Sequence, residues 1–286
     1  MKKVISIFLA LSFLICGIFI AKVYATYGDW DGPYQETGIS SDDPNIKGWA
    51  TKVIDYWRPS DVTYGVPEDV LGPADSGAPS SGVFSLGEGG WIIVGFDTPI
   101  VNGEGADFAV WENGFLSGGL VFAEFMFVDV STDGEHWARF PTVSLIPDSV
   151  GTWEPIDPTY VHNLAGKHVN APAYGQVAEG TPFDLEELLL DPQNQNLIDQ
   201  GFLDLNNINY VRLVNVLGDG NTYDSATLFG YNENHPIYDP YPNYGNSREA
   251  DLDAIGVLNA APVPEPTTLI LLGSGLLGML GFRRRN

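Results

Sequence analysis

The stretch "FMFVDVSTDGEHWARFP" (residues 125–141) contains the clearest evidence for the fold class. Its first half alternates side chains between two faces, as an extended strand does. Asp133-Gly134 follows, and this dipeptide favours a tight hairpin turn into a second, antiparallel strand. We expect one face of the first strand to be buried and the other to be exposed to solvent. The residues on the first face are Met126, Val128 and Val130, and those on the second are Phe127, Asp129 and Ser131.

Four other short runs of apolar and aromatic residues have the same character. Gly, Pro and polar residues separate these runs, and segment 146–180 is predicted to be a long excursion over the surface. Many short strands without an alternation of strands and helices indicate an all-β protein built as a β-sandwich. The four runs are "GGWIIVGFDTPI" (89–100), "DFAVWENG" (107–114), "LNNINYVRLVNVLGD" (205–219) and "ADLDAIGVLN" (250–259).

One short helix is expected within "TPFDLEELLLD" (181–191). Thr181 would be its N-cap, with Pro182 in the first helical position and Asp184 three residues after the cap. The leucines that would then face the core are Leu185, Leu188 and Leu189.

Both ends of the chain have features of sorting segments. Residues 1–25 begin with two lysines, continue with an apolar run and end in Val-Tyr-Ala, so we predict a signal peptide. A lipoprotein signal at Cys16 is the alternative. The rest of the chain divides into an aromatic N-terminal arm (26–61) that packs its rings on the sandwich, the sandwich itself (62–259), and a C-terminal segment (260–286).

The C-terminal segment contains "VPEPTTLILLGSGLLGMLGFRRRN" (263–286). Its uncharged part, 267–282, would span about 24 Å as a helix, which is short of a bilayer core and predicts a marginal transmembrane helix. The segment resembles the PEP-CTERM sorting signal of Gram-negative bacteria, which an exosortase recognises and cuts. An ordinary single-pass anchor is the alternative. The residues that carry the resemblance are Pro264, Glu265, Pro266, Arg283, Arg284 and Arg285.

This resemblance implies a route out of the cell. Signal peptidase and exosortase would be the processing partners, and the C-terminal helix would hold the chain in the inner membrane transiently. The arginines would stay on the cytoplasmic side, because positive residues resist translocation. The body of the protein would then reach the cell surface or the extracellular matrix.

The charge of the remaining chain limits its partners. Residues 26–263 contain seven basic and 36 acidic residues, a formal charge of −29. Such a domain repels nucleic acid and anionic lipid and favours cations or neutral partners. The only cysteine is Cys16, within the predicted signal peptide, so we expect stability to come from the core or from a bound metal.

A second resemblance covers about residues 65–259. The ordered series "VFSLGEGGWIIVGFDTPIVNGEGADFAVWENGF", "FVDVSTDGEHWARFP", "IYDPYP" and "DLDAIGVLN" is similar to a family of bacterial cell-surface proteins. That family implies a jelly-roll-like sandwich akin to discoidin and galactose-binding modules. It implies location and fold more than activity.

Calcium is the metal that the residues favour. Asp251 and Asp253 stand two apart on a predicted strand, so they would share a face, where like charges are costly unless a cation bridges them. Ca²⁺ takes six to eight oxygen ligands, often from loops and strand ends. A solvated edge of turn-capping acids is the alternative. The candidate ligands are Glu112, Asn113, Asp224, Asp239, Asp251 and Asp253.

Aromatic residues in loops favour carbohydrate binding, because flat rings stack on the C–H faces of sugars. The chain lacks a Gly-x-Ser-x-Gly elbow and any His-x-x-x-His pair, which disfavours common hydrolases and metalloproteases. We expect a non-catalytic surface or matrix protein that binds carbohydrate or another matrix component. The alternatives are a structural matrix protein without a ligand and a polysaccharide hydrolase or lyase that uses two acids. The candidate ligand-binding residues are Tyr223, Tyr231, Tyr238 and Tyr241.

Overall fold

Seventeen β-strands carry most of the regular structure of the computed structural model, which describes residues 30–75, 82–171 and 178–262. The predicted signal peptide and the six sorting residues lie outside the described residues. No helix within the described ranges is both long and apolar enough to cross a membrane. The abundance of strands confirms the all-β prediction.

The strands and helices are short. The strands are β1 (Ile39–Ser40), β2 (Gly48–Trp49), β3 (Lys52–Trp57), β4 (Phe84–Ser85), β5 (Trp91–Ile100), β6 (Phe108–Glu112), β7 (Phe115–Ser117), β8 (Leu120–Phe122), β9 (Met126–Ser131), β10 (Ala138–Arg139), β11 (Val143–Ser144), β12 (Val161–His162), β13 (Glu179–Phe183), β14 (Ile208–Asn215), β15 (Asp219–Tyr223), β16 (Pro236–Tyr238) and β17 (Asp251–Val257). The helices are α1 (Pro192–Asp199) and the 3₁₀ turns Pro67–Val70, Pro158–Tyr160, Leu185–Leu190 and Ala226–Phe229.

Two antiparallel sheets form the body of the domain. The first has the order β1-β13-β6-β17-β2, with β4 also paired to β17, and the second has the order β10-β9-β14-β5-β3. Side chains from both sheets share one buried core, in which Val110 and Ile255 of the first sheet join Val94, Val128 and Leu213 of the second. Each of these fully buried side chains contributes roughly 1.5–3 kcal/mol through the hydrophobic effect.

Strand β9 forms the predicted hairpin with β10, with Gly134 at φ 80° in the connection. The prediction that one of its faces is exposed was wrong, because all six residues are buried. On the outer face, Arg139 Nε donates to Asp129 Oδ1 at 2.6 Å, and Arg212 Nη2 lies 2.7 Å from Asp129 Oδ2. The Arg139 guanidinium also lies over the Phe127 ring. The two arginines therefore cover this face.

The helix prediction had the wrong start. Thr181 and Pro182 belong to β13, where Thr181 pairs with Val110. The 3₁₀ turn begins after Asp184, whose carboxylate accepts the Glu186 N–H at 2.9 Å. Helix α1 follows and was not predicted. Leu185 and Leu188 are buried as predicted, whereas Leu189 is only partly buried.

Segment 146–180 is also not a surface excursion. Its residues Val161, Leu164 and Val169 are buried in a second core together with Phe125 and Ile237. The prediction was based on the polar composition of the segment, which does not reveal that these apolar residues are buried.

The N-terminal part of the chain is joined to this segment by a buried ion pair. The Lys167 side chain is 2% exposed, and its Nζ donates to Glu36 Oε1 and to the Val161 carbonyl, both at 2.6 Å. His162 lies between Glu36 and Glu187, at 3.3 and 2.8 Å. Further along, β1, β2 and β3 of the predicted arm add strands to both sheets.

Replacing Glu36 with Ala should destabilise the fold strongly. Lys167 would keep its buried charge without a carboxylate, and breaking a buried pair from one side costs about 3–5 kcal/mol. Urea unfolding of the full chain measures the loss. Asp97→Ala is the matched control, because it removes the exposed Lys52–Asp97 pair, whose carboxylate is 69% exposed. Similar unfolding midpoints for both variants would contradict the importance of the Glu36 pair.

Candidate functional site

A cleft of about 420 Å³ opens where β6 ends and β17 begins. A larger cavity of about 500 Å³ lies beside β2 and the end of β5, but the one carboxylate in its described lining, that of Asp97, is exposed and pairs with Lys52. The smaller cleft combines aromatic and polar groups, which makes it the candidate site. Its lining residues are Asn113, Phe115, Leu116, Phe122, Glu124, Trp153, Ala171, Asn243, Tyr244, Ser247 and Asp251.

Aromatic rings form one wall of the cleft. The hairpin of β7 and β8 aligns Phe115 with Phe122, whose ring centroids lie 4.9 Å apart in a stacked arrangement. Trp153 continues the stack, 5.4 Å from Phe122. Trp153 is 75% exposed and Tyr244 is 73% exposed. Both rings therefore have faces available for a ligand.

Polar side chains form the floor. Asn243 Nδ2 donates to Glu124 Oε1 at 2.7 Å, and Ser247 Oγ donates to Asp251 Oδ2 at 2.9 Å. Ser85 donates to the other Asp251 oxygen. Glu124 is 9% exposed, and no donor within the described residues contacts its second oxygen, Oε2. This oxygen remains available to a donor in the cleft.

The floor belongs to a larger group of acids, which we call the carboxylate cluster. The Asp251 N–H donates to Glu112 Oε1 at 3.2 Å, and Asn215 Nδ2 donates to Glu249 Oε2 at 3.0 Å. None of its members forms an ion pair with Lys or Arg in the described part of the chain. The cluster consists of Glu112, Glu124, Asp239, Glu249 and Asp251.

Burial and mutual repulsion favour the protonated form of these acids. Burial raises the pKa of Glu112 well above its ordinary value, and the Asp251 charge raises it further. Burial, followed by the charges of Glu112 and Asp251, does the same to the pKa of Glu124. Burial raises the pKa of Asp239 well above its ordinary value, that of Glu249 to about 7, and that of Asp251.

Several oxygens at the cluster have no hydrogen-bond partner. A buried polar atom without a partner costs about 1–3 kcal/mol, and more when it is charged. Protonation or a cation would relieve this cost. Within the described residues, however, no three His, Cys, Asp or Glu side chains are arranged around a common metal position. The unpartnered atoms are Glu112 Oε2, Asn113 Oδ1, Asp239 Oδ1 and Glu249 Oε1.

The structure brings four of the six predicted metal ligands to this region: Glu112, Asn113, Asp239 and Asp251. Asp224 lies elsewhere, where its carboxylate accepts the N–H groups of Ser144, Ala226 and His235.

Asp253 is also separate from the cleft. The pairing of β17 with β6 shifts register between Leu252 and Ala254, and the Asp253 carboxylate accepts Asn170 Nδ2 at 2.9 Å. Asp253 is therefore held by partners other than those of Asp251.

Two members of the cluster were missed by the sequence reasoning. Glu124 is a single acid inside the apolar run "VFAEFMF", and an acid in such a run is a signal of a buried functional group. Glu249 has a positive φ of 62°, which the sequence does not reveal.

The four predicted tyrosines do not line the cleft. Tyr231 lies 3.2 Å from the Tyr34 hydroxyl, and Tyr223 is exposed on β15. Tyr238 pairs with Asp219 across β15 and β16, and the Tyr241 N–H donates to the Val150 carbonyl. Tyr244, from the same loop region, is the tyrosine that contributes to the aromatic wall.

The last part of the chain matches a known sorting motif. Residues 262–285 match the PEP-CTERM protein-sorting motif. No curated protein matches the chain. The motif indicates that the protein is exported, is processed by an exosortase, and passes through a transient membrane anchor to the surface.

Replacing Glu249 with Gln should remove part of the pH dependence of folding. Because the pKa of Glu249 in the folded protein is raised from 4.5 to about 7, its contribution to stability is present below pH 4.5 and is lost as the pH rises to about 7. Above that range, the variant should be more stable than the natural protein, by on the order of 3 kcal/mol. Urea unfolding across this pH range, with chelator present, measures the effect.

Glu135→Gln, an exposed change in the β9–β10 connection, is the control for loss of one negative charge. If Glu249→Gln and Glu135→Gln show the same pH profile as the natural protein, Glu249 does not titrate in this range on folding.

Proposed function

We propose that the exported domain binds carbohydrate of the cell surface or extracellular matrix in the cleft. The observation that carries the proposal is the combination of a stacked aromatic wall with a floor of carboxylate, amide and hydroxyl groups. Sugars carry groups that are complementary to both parts of the cleft. Their C–H faces pack on aromatic rings, and their hydroxyls donate hydrogen bonds to carboxylates. Export through the sorting motif would bring the cleft to surface polysaccharide.

The exposure of the wall supports this proposal. Large aromatic rings are normally buried, and exposed groups of them often mark binding sites. Trp153 and Tyr244 lie at the mouth of a concave site instead of being scattered over the surface. A structural matrix protein without a ligand would have no need of this arrangement.

Alanine at Trp153 or Tyr244 should weaken glycan binding about tenfold or more, because each change removes a stacking surface while disturbing little of the core. A glycan array identifies a ligand, and calorimetry on the full chain in mild detergent measures the affinity. Trp57→Ala and Tyr223→Ala are matched controls, since these rings are 51% and 59% exposed and lie outside the cleft.

The outcomes separate the alternatives. Failure to bind any glycan in a broad array would favour a structural matrix protein. Loss of binding in the Tyr223 variant but not in the Tyr244 variant would indicate that the ligand binds near Tyr223, as predicted from the sequence, and not in the cleft. Release of reducing ends that depends on Glu124 would indicate a hydrolase or lyase.

Calcium binding at the carboxylate cluster is a second proposal. The observation that favours it is a group of buried carboxylate oxygens that have no hydrogen-bond partner and belong to acids without an ion pair to Lys or Arg among the described residues. Glu112, Asp239 and Glu249 would be the principal ligands. Side-chain rotations would have to bring their oxygens to the distances that Ca²⁺ requires.

Excess Ca²⁺ should therefore raise the unfolding temperature of the full chain relative to chelator. Binding to the folded state alone adds about 2.7 kcal/mol at a hundredfold excess over Kd, enough for a shift of several degrees. Asp239→Asn should abolish the shift, whereas Asp253→Asn should retain it because Asp253 lies outside the cluster. An unchanged unfolding temperature would exclude the calcium site.

A further inference from the structure

The described lining of the cleft contains acidic side chains and no basic ones. Glu124 and Asp251 are on its floor, and no Lys, Arg or His is among the described residues that line it. Behind the floor, Glu112, Asp239 and Glu249 add further acids within electrostatic range of Glu124. A cationic ligand that enters the cleft therefore meets acids that have no basic partner in the lining, and it would favour their ionised form.

We propose, building on the proposed carbohydrate function, that the ligand is a hexosamine polymer with free amino groups, and that one ammonium group binds Glu124 Oε2. A sugar ring would stack on Trp153 while its ammonium group points to the floor. The ligand itself would thus supply the positive charge that the described lining of the cleft lacks, since Arg248, beside Glu249, pairs with Asp61 and Glu88.

The acceptors of the floor suit an ammonium group. An ammonium has three donors and no acceptor, and the cleft offers oxygens that lack donors. Glu124 is nine-tenths buried, and its Oε2 has no donor within the described residues. Asn113 Oδ1, also in the lining, has no hydrogen-bond partner. Hydrogen bonds between an ammonium and a carboxylate are roughly twice as strong as those between neutral groups.

The same geometry disfavours other ligands of the same class. A uronate-containing polysaccharide would bring a carboxylate against Glu124 and Asp251, and like charges at an interface are costly. An N-acetylated hexosamine presents a neutral amide, which cannot balance the charge of the floor.

A metal ion is a weaker match to the arrangement. Ca²⁺ needs six to eight oxygens around one point, whereas no three acidic side chains of the described residues are so arranged. An ammonium group needs only two or three acceptors. The aromatic wall adds a favourable site for a cation near ring faces.

Calorimetry of the full chain in mild detergent, with chelator and at mildly acidic pH, tests the proposal. The probes are a glucosamine tetramer, its fully N-acetylated counterpart and a galacturonate tetramer. We expect the glucosamine tetramer to bind at least about tenfold more tightly than the N-acetylated tetramer, and the galacturonate tetramer not to bind. Repeating the titration in buffers of different ionisation enthalpy should show proton release, because an ammonium favours the ionised form of the cluster.

Variants distinguish a specific site from general attraction to an acidic surface. Glu124→Gln keeps the shape of the side chain, and it should weaken binding of the glucosamine tetramer more than binding of the N-acetylated tetramer, so that the preference for the amino form is lost. Glu135→Gln should change neither affinity. If Glu135→Gln weakens the glucosamine tetramer as much as Glu124→Gln does, the attraction is non-specific and the proposal is overturned.

Three further results would overturn it in different ways. Equal affinity for the amino and N-acetylated tetramers would reject the ligand class but leave the carbohydrate function intact. Absence of binding by all three tetramers, together with a negative glycan array, would reject the carbohydrate function as well. Binding that appears only when Ca²⁺ replaces chelator would assign the positive charge to the metal instead of the ligand.

Discussion

The antiparallel pairing of β6 with β17 determines both the core and the cleft. The side chains of Val110 and Ile255, which are opposite each other in this pair, lie in the core between the two sheets. At its other end, the Asp251 N–H donates to Glu112, which holds Glu112 behind the floor of the cleft, next to Asp251. Asp251 and Leu252 are neighbours on one strand and therefore point to opposite faces, so that Leu252 stays in the core while Asp251 faces the site. Packing and chemistry are therefore properties of the same two strands.

The domain buries acids in two physically different ways. Around Lys167 it supplies the counter-charges: Glu36 contacts Lys167 and His162, and these contacts outweigh burial and lower the pKa of Glu36 to about 2. At the carboxylate cluster it supplies amide and hydroxyl donors but no Lys or Arg partner among the described residues, and the pKa values of the acids rise. The first arrangement is complete without a ligand. The second gains stability from protons or from a bound cation, which is why it is the better candidate for function.

Local pattern was sufficient to predict the class of the fold and the β9–β10 hairpin, because alternation and turn chemistry act over a few residues. It failed where distant residues complete a surface. The outer face of β9 is covered by Arg212, some eighty positions away in the chain, and segment 146–180 is buried by contacts with Phe125 and Ile237. The start of the helical region moved to Asp184 because pairing with β6 holds Thr181 in a strand.

The candidate site shows the same division. Residues at strand ends, such as Glu112 and Asp251, could be proposed from sequence because acids are expected where strands meet loops. Asp224 has the same local signature, yet three backbone N–H groups use its oxygens for structure. Only the fold distinguishes an acid whose oxygens accept hydrogen bonds from the protein from an acid with an oxygen left for a ligand. Glu124 is a candidate because it is of the second kind.

Strand β17 also relates the cleft to the sorting motif. Asp251 is its first residue and Val257 its last, and seven residues at about 3.3 Å each separate its two ends by roughly 20 Å. The cleft lies at the first end, and the chain continues from the second end to the motif, which begins at residue 262. The described chain therefore leaves β17 at the end opposite the cleft, so that one strand connects the candidate site with the start of the sorting motif.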